Sequence, residues 1–144
     1  MYRRNHFKKR HTGYRSGLEE RMADHLKTVG VTFAYESHTI PYLKPQKPSR
    51  YTPDFLLPNG IFLETKGLFG AADRAKHLLV REQNPQYDIR FIFQRSSQKL
   101  YKGSKTSYAD WCNANKFRWA EGGVPKSWLA EPRKEWLTKL GKTG

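Results

Sequence analysis

Cysteine is nearly missing from these 144 residues: Cys112 stands alone. One thiol excludes an intrachain disulfide and any zinc module built on cysteines, and it fits a reducing cytoplasm. Acid is scarce too, with 13 Asp and Glu against 27 Lys and Arg, a formal charge of +14. A surplus of that size calls for a polyanionic partner, either nucleic acid or an anionic membrane face. Membrane is disfavoured, because no apolar run approaches ~20 residues and no long amphipathic helix carries the basic side chains. The opening MYRRNHFKKRHTGYR lacks the apolar stretch of a secretory signal. Histidine supplies no ligand pattern. His25, His38 and His77 read as surface or packing residues, and His6 and His11 as part of a basic arm. No internal repeat is found, and nothing calls for a small-molecule cofactor.

What is present fits one domain. An aromatic content of 14% argues against disorder, and a chain of this length can bury roughly two-thirds of its unfolded surface. Residues 1–15 carry Arg3, Arg4, Lys8, Lys9, Arg10 and Arg15 with no acid, a self-repelling arm expected to order on a polyanion. Residues 16–144 form the domain. Residues 16–29 predict a helix capped by Ser16, with Leu18, Met22, Leu26 and Val29 on one stripe and Gly30 as the stop. VTFAYES, 31–37, alternates as a strand, which His38 to Tyr42 extends past a bend. LKPQKPSRYTP, 43–53, has three prolines and reads as a stiff extended connector, either a local loop or a crossing to another subunit. A hairpin follows, then a helix over 70–85 ended by Asn84-Pro85 and a buried strand over 89–94. The stretch 96–107 is a polar loop, and 107–116 a short helix with Tyr108, Trp111 and Cys112 inward. From Phe117 on, Trp119, Trp128 and Trp136 stand among Pro, Gly and Lys without a clear pattern. The order gives an α/β fold with a central mixed sheet flanked by helices.

The hairpin YTPDFLLPNGIFLETKG, 51–67, places Asp54, Glu64 and Lys66 among apolar residues. Leu57-Pro58-Asn59-Gly60 suits a three-residue loop closed by glycine in the left-handed region. Leu57 then faces Ile61, Phe55 faces Leu63, and Asp54 faces Glu64, with Lys66 on the same side of the sheet. A two-residue loop would slip the register and set Asp54 beside Thr65. The bland reading is a rim salt bridge, but one lysine compensates only one of two adjacent acids. Spare negative charge on a chain of this basicity is better explained by a divalent cation, and carboxylate oxygens suit Mg²⁺ or Mn²⁺ rather than zinc. Without the metal, at least one acid is expected to have a raised pKa. Glu19 reads on its residues alone as the far member of a capping box, Ser16-Gly17-Leu18-Glu19.

Pro53-Asp54, the hairpin, and Glu64-Thr65-Lys66 resemble the motif of the PD-(D/E)XK nuclease superfamily, whose core has the same order of elements. YRSGLEE, YTPDFLLPNGIFLETKGL, KHLLVREQ and KLYKGSKTSY together resemble the bacteriophage endonuclease I family of Holliday-junction resolvases, from about Tyr14 to Cys112. That resemblance implies a restriction-endonuclease-like core and a homodimer with an exchanged segment, for which 43–53 is the bridge. It implies catalytic roles for Glu19, Asp54, Glu64 and Lys66. It also implies paired nicking of branched DNA that leaves 5′-phosphate and 3′-hydroxyl ends, in the host bacterial cytoplasm.

Phosphodiester hydrolysis then uses two divalent ions, Mg²⁺ with Mn²⁺ as substitute, to activate water and relieve charge. Asp54 is the expected bridging ligand, Glu64 and Glu19 complete the set, and the Thr65 backbone carbonyl is an extra ligand. Lys66 orients or helps deprotonate the water and offsets transition-state charge. DNA is expected to meet Arg3, Arg4, Lys8, Lys9, Arg10, Arg15, Arg74, Lys76, Arg81, Lys99, Lys102 and Lys105, mainly through phosphate contacts. The rival readings are a restriction or repair nuclease or transposase subunit on the same core, and a non-enzymatic basic nucleic-acid binder.

Overall fold

The computed structural model describes residues 13–44 and 47–138. Arg3, Arg4, Lys8, Lys9 and Arg10 lie outside them. Helix α1, Gly17–Thr28, starts where Ser16 Oγ accepts the Glu19 backbone N–H at 3.0 Å and buries Met22, Ala23 and Leu26. Strand β1 is only Ala34–Tyr35. It stops at Glu36, whose φ of 47° lies in the left-handed region that few side chains tolerate. The expected strand over 31–37 is shortened for that reason.

Residues 40–51 then leave the main sheet. Strands β2, Ile40–Lys44, and β3, Lys47–Tyr51, form a separate two-stranded antiparallel arm with Ile40 opposite Tyr51 and Lys44 opposite Lys47. Within one chain the stretch 43–53 is thus largely one side of a hairpin, and His38–Tyr42 does not extend β1. Edge strands tolerate the prolines that a central strand rejects. The arm lies on helix α2, Ala71–Gln83. Asn84 Nδ2 donates to the Pro41 carbonyl at 3.0 Å, and Gln83 Nε2 to that of Leu43 at 2.8 Å.

The hairpin of β4, Phe55–Leu56, and β5, Ile61–Lys66, has the anticipated register: Phe55 pairs with Leu63 and Leu56 with Phe62. Leu57 N–H donates to Ile61 O at 2.9 Å, and Gly60 closes the loop at φ 95°. Parallel to β5 runs β6, Asp88–Phe93, and parallel to that β7, Trp119–Glu121, so the order is β1-β4-β5-β6-β7. One face of this mixed sheet packs Leu63 and Ile92 against α1 and Trp128. On the other, Phe91 and Phe93 meet Phe69, Phe117 and helix α3, Tyr108–Ala114, while Phe62 meets Val80 of α2 and Trp136. The histidines of the domain pack as expected: His25 Nε2 accepts from the Val124 N–H, and His38 lies against Phe62 and Trp136.

The C-terminal stretch, unpatterned in sequence, straps the hairpin tip. It includes the short helix α4, Lys126–Leu129. Trp136 Nε1 donates to Gly60 O at 3.0 Å, Lys134 N–H to Asn59 O at 2.7 Å, and Asn59 Nδ2 to Trp128 O at 2.9 Å. A methyl on Gly60 would lie 2.9 Å from both Lys134 Cβ and Leu137 Cδ1. Gly60→Ala therefore meets both a strained φ and a collision, and is expected to cost about 2–4 kcal/mol in urea unfolding. An unchanged midpoint would show that the strap does not hold the tip.

Candidate active site

Two sequence-remote pieces meet at one end of the sheet. Asp54 precedes β4 and Glu64, Thr65 and Lys66 end β5, while Glu19 comes from the first turn of α1. All five are buried. They border a cleft of about 470 Å³ together with Arg15, Arg50, Tyr51 and Lys76.

Each carboxylate is held by donors. Asp54 Oδ2 accepts the Thr65 backbone N–H at 2.9 Å and its hydroxyl at 2.8 Å. One residue beyond the Phe55–Leu63 pair, Asp54 is thus gripped by Thr65. Glu64 Oε1 accepts the Tyr51 hydroxyl at 2.6 Å, and its Oε2 lies 3.4 Å from Lys66 Nζ. Glu19 Oε1 accepts the Tyr35 hydroxyl at 2.6 Å and the Arg15 backbone N–H at 2.9 Å. Ser16 therefore caps α1, but Glu19 does not return the bond to Ser16 that a full capping box needs. Ser107 and Asp110, at the start of α3, make both bonds. The Glu19 carboxylate is instead turned toward Asp54.

Electrostatics matches this crowding. Burial, then repulsion from Glu64 and Glu19, pushes Asp54 up to about 8, against the two Thr65 hydrogen bonds. Glu64 is also raised by burial, with Lys66 and Tyr51 opposing. Burial works against charge on Lys66, but Glu64 and Asp73 outweigh it and hold the ammonium above its ordinary pKa. Lys66 Nζ reaches Asp73 Oδ2 at 2.9 Å.

Sequence reasoning missed Glu36. One carboxylate oxygen each from Glu19, Glu36 and Asp54 lies within 4.8 Å of the others. The Glu36 N–H donates to Asp54 O at 2.8 Å, and its Oε2 pairs with Arg15 Nη1 at 3.0 Å. No motif marks it: the β1–β4 register, with Tyr35 opposite Phe55, is what sets it beside Asp54. Tyr35, Tyr51, Arg50 and Asp73 were missed for the same reason: their roles come from tertiary contacts. An all-oxygen donor set with unrelieved negative charge fits a hard divalent cation.

The basic residues divide. Arg15 and Lys76 line the cleft. Arg74 Nη1 donates to Phe69 O at 2.7 Å, and Arg81 Nη1 to Asn115 O at 2.6 Å while its guanidinium lies 4.0 Å from the centre of the Phe117 ring. These two are engaged in packing. Lys99, Lys102 and Lys105 are exposed on the loop 96–107.

Converging carboxylates beside a buried lysine, at the end of a mixed sheet on a strongly basic chain, fit a nuclease. The family described as phage endonuclease I matches residues 1–142, and the chain belongs to it. Over 122 residues it is 51% identical to Endonuclease I of Escherichia phage T7, covering 85% of this chain and 82% of that protein. It is 52% identical to Endodeoxyribonuclease 1 of Enterobacteria phage T3, again over 122 residues, covering 85% and 80%. The protein is an endonuclease. No helix among the described residues is long and apolar enough to cross a membrane.

Proposed function

We propose that this endonuclease resolves four-way and other branched DNA junctions by paired, Mg²⁺-dependent nicking, as a homodimer in the host bacterial cytoplasm. The observation that carries the reading is the convergence of Glu19, Glu36 and Asp54 within 4.8 Å beside Glu64 and Lys66, on a chain of +14. The hairpin bearing Pro53-Asp54 and Glu64-Thr65-Lys66 supports placing the core in the PD-(D/E)XK superfamily. Mg²⁺, for which Mn²⁺ substitutes, supplies a nucleophilic water at neutral pH and neutralises phosphate charge, in the two-ion arrangement we infer.

The protein's own groups do the rest. Asp54, fixed by Thr65, lies between Glu19 and Glu64 and would be the shared ligand of a bound cation. Tyr35 and Tyr51 hold the Glu19 and Glu64 carboxylates, and the Thr65 carbonyl would add a ligand to a bound cation. Lys66 orients the attacking water and offsets charge growing on the phosphate. Arg15 and Lys76 at the cleft edge meet phosphates, as does the basic arm, residues 1–15, that precedes the single domain 16–144. The products keep the 5′ phosphate and free the 3′ hydroxyl.

The arm 40–51 supports an exchanged dimer. Separating β2 from β3 would let α1 and β1 dock on a second copy with the contacts they make within one chain. Residues 43–53 then become the bridge, and Glu19 joins Asp54, Glu64 and Lys66 of the other chain. Two sites related by a twofold axis suit paired cuts, and selectivity then follows the shape of branched DNA.

The test compares a four-way junction with linear duplex of equal sequence and salt. Wild-type protein is expected to nick the junction at least about 100-fold faster. Equal rates would favour a restriction or repair nuclease on the same core. Mixing Glu19→Gln and Asp54→Asn protomers should restore one intact site per dimer, and absence of recovered nicking contradicts the exchange.

A further inference from the structure

Two exposed apolar side chains take no part in the chemistry above. Leu68 is 74% and Tyr101 66% exposed. Leu68 lines the catalytic cleft and also borders an adjoining hollow of about 440 Å³, which Tyr101 lines from the loop 96–107. This loop is built, not slack. Lys99 bridges Ser107, Leu100 N–H donates to Thr106 O at 2.9 Å, and Ser104 N–H donates to Tyr101 O at 3.0 Å. Gly103, at φ 89°, completes the turn that holds the ring out.

An exposed aromatic ring on a hydrogen-bonded loop beside an exposed aliphatic side chain marks a contact surface, and its surroundings choose the occupant. Residues 96–107 hold Lys99, Lys102 and Lys105 and no acid, so the partner is polyanionic. It must also offer an apolar face next to those charges. Nucleic acid does, through its bases, but in continuous duplex those faces are stacked and hidden. At a branch the stack is interrupted, and in the open, metal-free junction the innermost base faces are uncovered.

We propose that Tyr101 and Leu68 form a platform that packs on a nucleobase face uncovered at the branch, while Lys99 and Lys102 hold the adjoining phosphates. This rests on the junction-nuclease reading and adds to it a source of selectivity. Lysines alone bind phosphates on any duplex, whereas the platform gains contact only where stacking is interrupted.

The test uses a four-way junction with 2-aminopurine beside the branch and a linear duplex of the same sequence, with binding measured in EDTA. Tyr101→Ser is expected to weaken junction binding about tenfold and duplex binding by less than about twofold. The fluorophore, quenched on wild-type protein, brightens on the variant. Tyr101→Phe retains wild-type behaviour, and Leu68→Ser gives a smaller selective loss. Thermal unfolding confirms that these exposed positions leave the fold intact. Equal losses on both DNAs, no loss on either, or unchanged fluorescence would overturn the platform. Cleavage of the junction by wild-type protein with Mg²⁺ is the separate control: its failure would sink the reading of function, while its success leaves the variants to decide the platform alone.

Discussion

Asp54→Asn is expected to lower cleavage by at least about 10³-fold while junction affinity changes by less than about threefold, because the loss of a shared ligand exceeds the roughly 10–100-fold typical of a group that only supports one. Asparagine keeps the oxygen that accepts from Thr65 N and Oγ1, so the hairpin end stays formed. Equal loss of cleavage and binding would remove Asp54 from the chemistry. The same substitution has a second signature. In the metal-free protein Asp54 is raised to about 8 by burial and by Glu64 and Glu19. The folded state therefore holds this proton more tightly than the unfolded chain does. The stability it confers is complete below the ordinary carboxylate pKa, near 4, and is lost as pH rises from there through about 8. Asp54→Asn should thus be more stable than wild-type protein in EDTA, by a margin that widens from pH 5 to pH 8. Melting curves across that range read it directly, and a constant margin would contradict it. Added Mn²⁺ should raise the wild-type melting temperature and leave the variant's nearly unmoved.

The second large effect lies away from the cleft. Arg90 is 1% exposed inside β6. Its guanidinium makes two bonds of 2.8 Å to Asp88 and two of 2.7 Å to Glu131, and lies 5.0 Å from the centre of the Trp128 ring. Glu131, lowered to about 2 chiefly by this guanidinium, ties the C-terminal strap to the sheet. Arg90→Ala leaves two acids with Lys134 as their nearest remaining cation, at 3.0 and 3.2 Å, and empties a packed site. A loss of about 3–5 kcal/mol is expected in urea unfolding. Arg90→Met restores volume but not charge pairing. If methionine recovers the full stability, packing rather than the ion network fastens the strap.

These two residues also show how far the sequence could be read. Asp54, Glu64 and Lys66 were legible because Pro58-Asn59-Gly60 dictates a loop, the loop dictates a register, and a register dictates which side chains share a face. Helix α1 was legible through its Ser16 cap and apolar stripe, α2 through its Asn84-Pro85 stop, and α3 through the inward spacing of Tyr108, Trp111 and Cys112. Arg90 was hidden in an apolar run, since its partner Glu131 is remote in sequence. Strand β7 is three residues long and is defined by its parallel neighbour, so no local pattern announces it. The tail's tryptophans find their sites only once the hairpin tip exists. Glu36 was invisible for a related reason: the pairing of the two-residue strand β1 with β4, which no local pattern announces, is what makes it a neighbour of Asp54. Glu19 was read twice over, as a cap and through its family, and the structure shows Tyr35 and Arg15, not Ser16, holding its carboxylate.

The central claim is that Asp54, Glu64 and Glu19 gather around a bound divalent cation, and the most direct measurement is anomalous diffraction from a crystal of the full-length protein soaked in Mn²⁺. The account predicts peaks within bonding distance of Asp54, shared with Glu64 and Glu19, and it predicts that Asp54→Asn crystals lose them. Density with no anomalous peak among these carboxylates at saturating Mn²⁺, or a peak bound wholly by other residues, would contradict it.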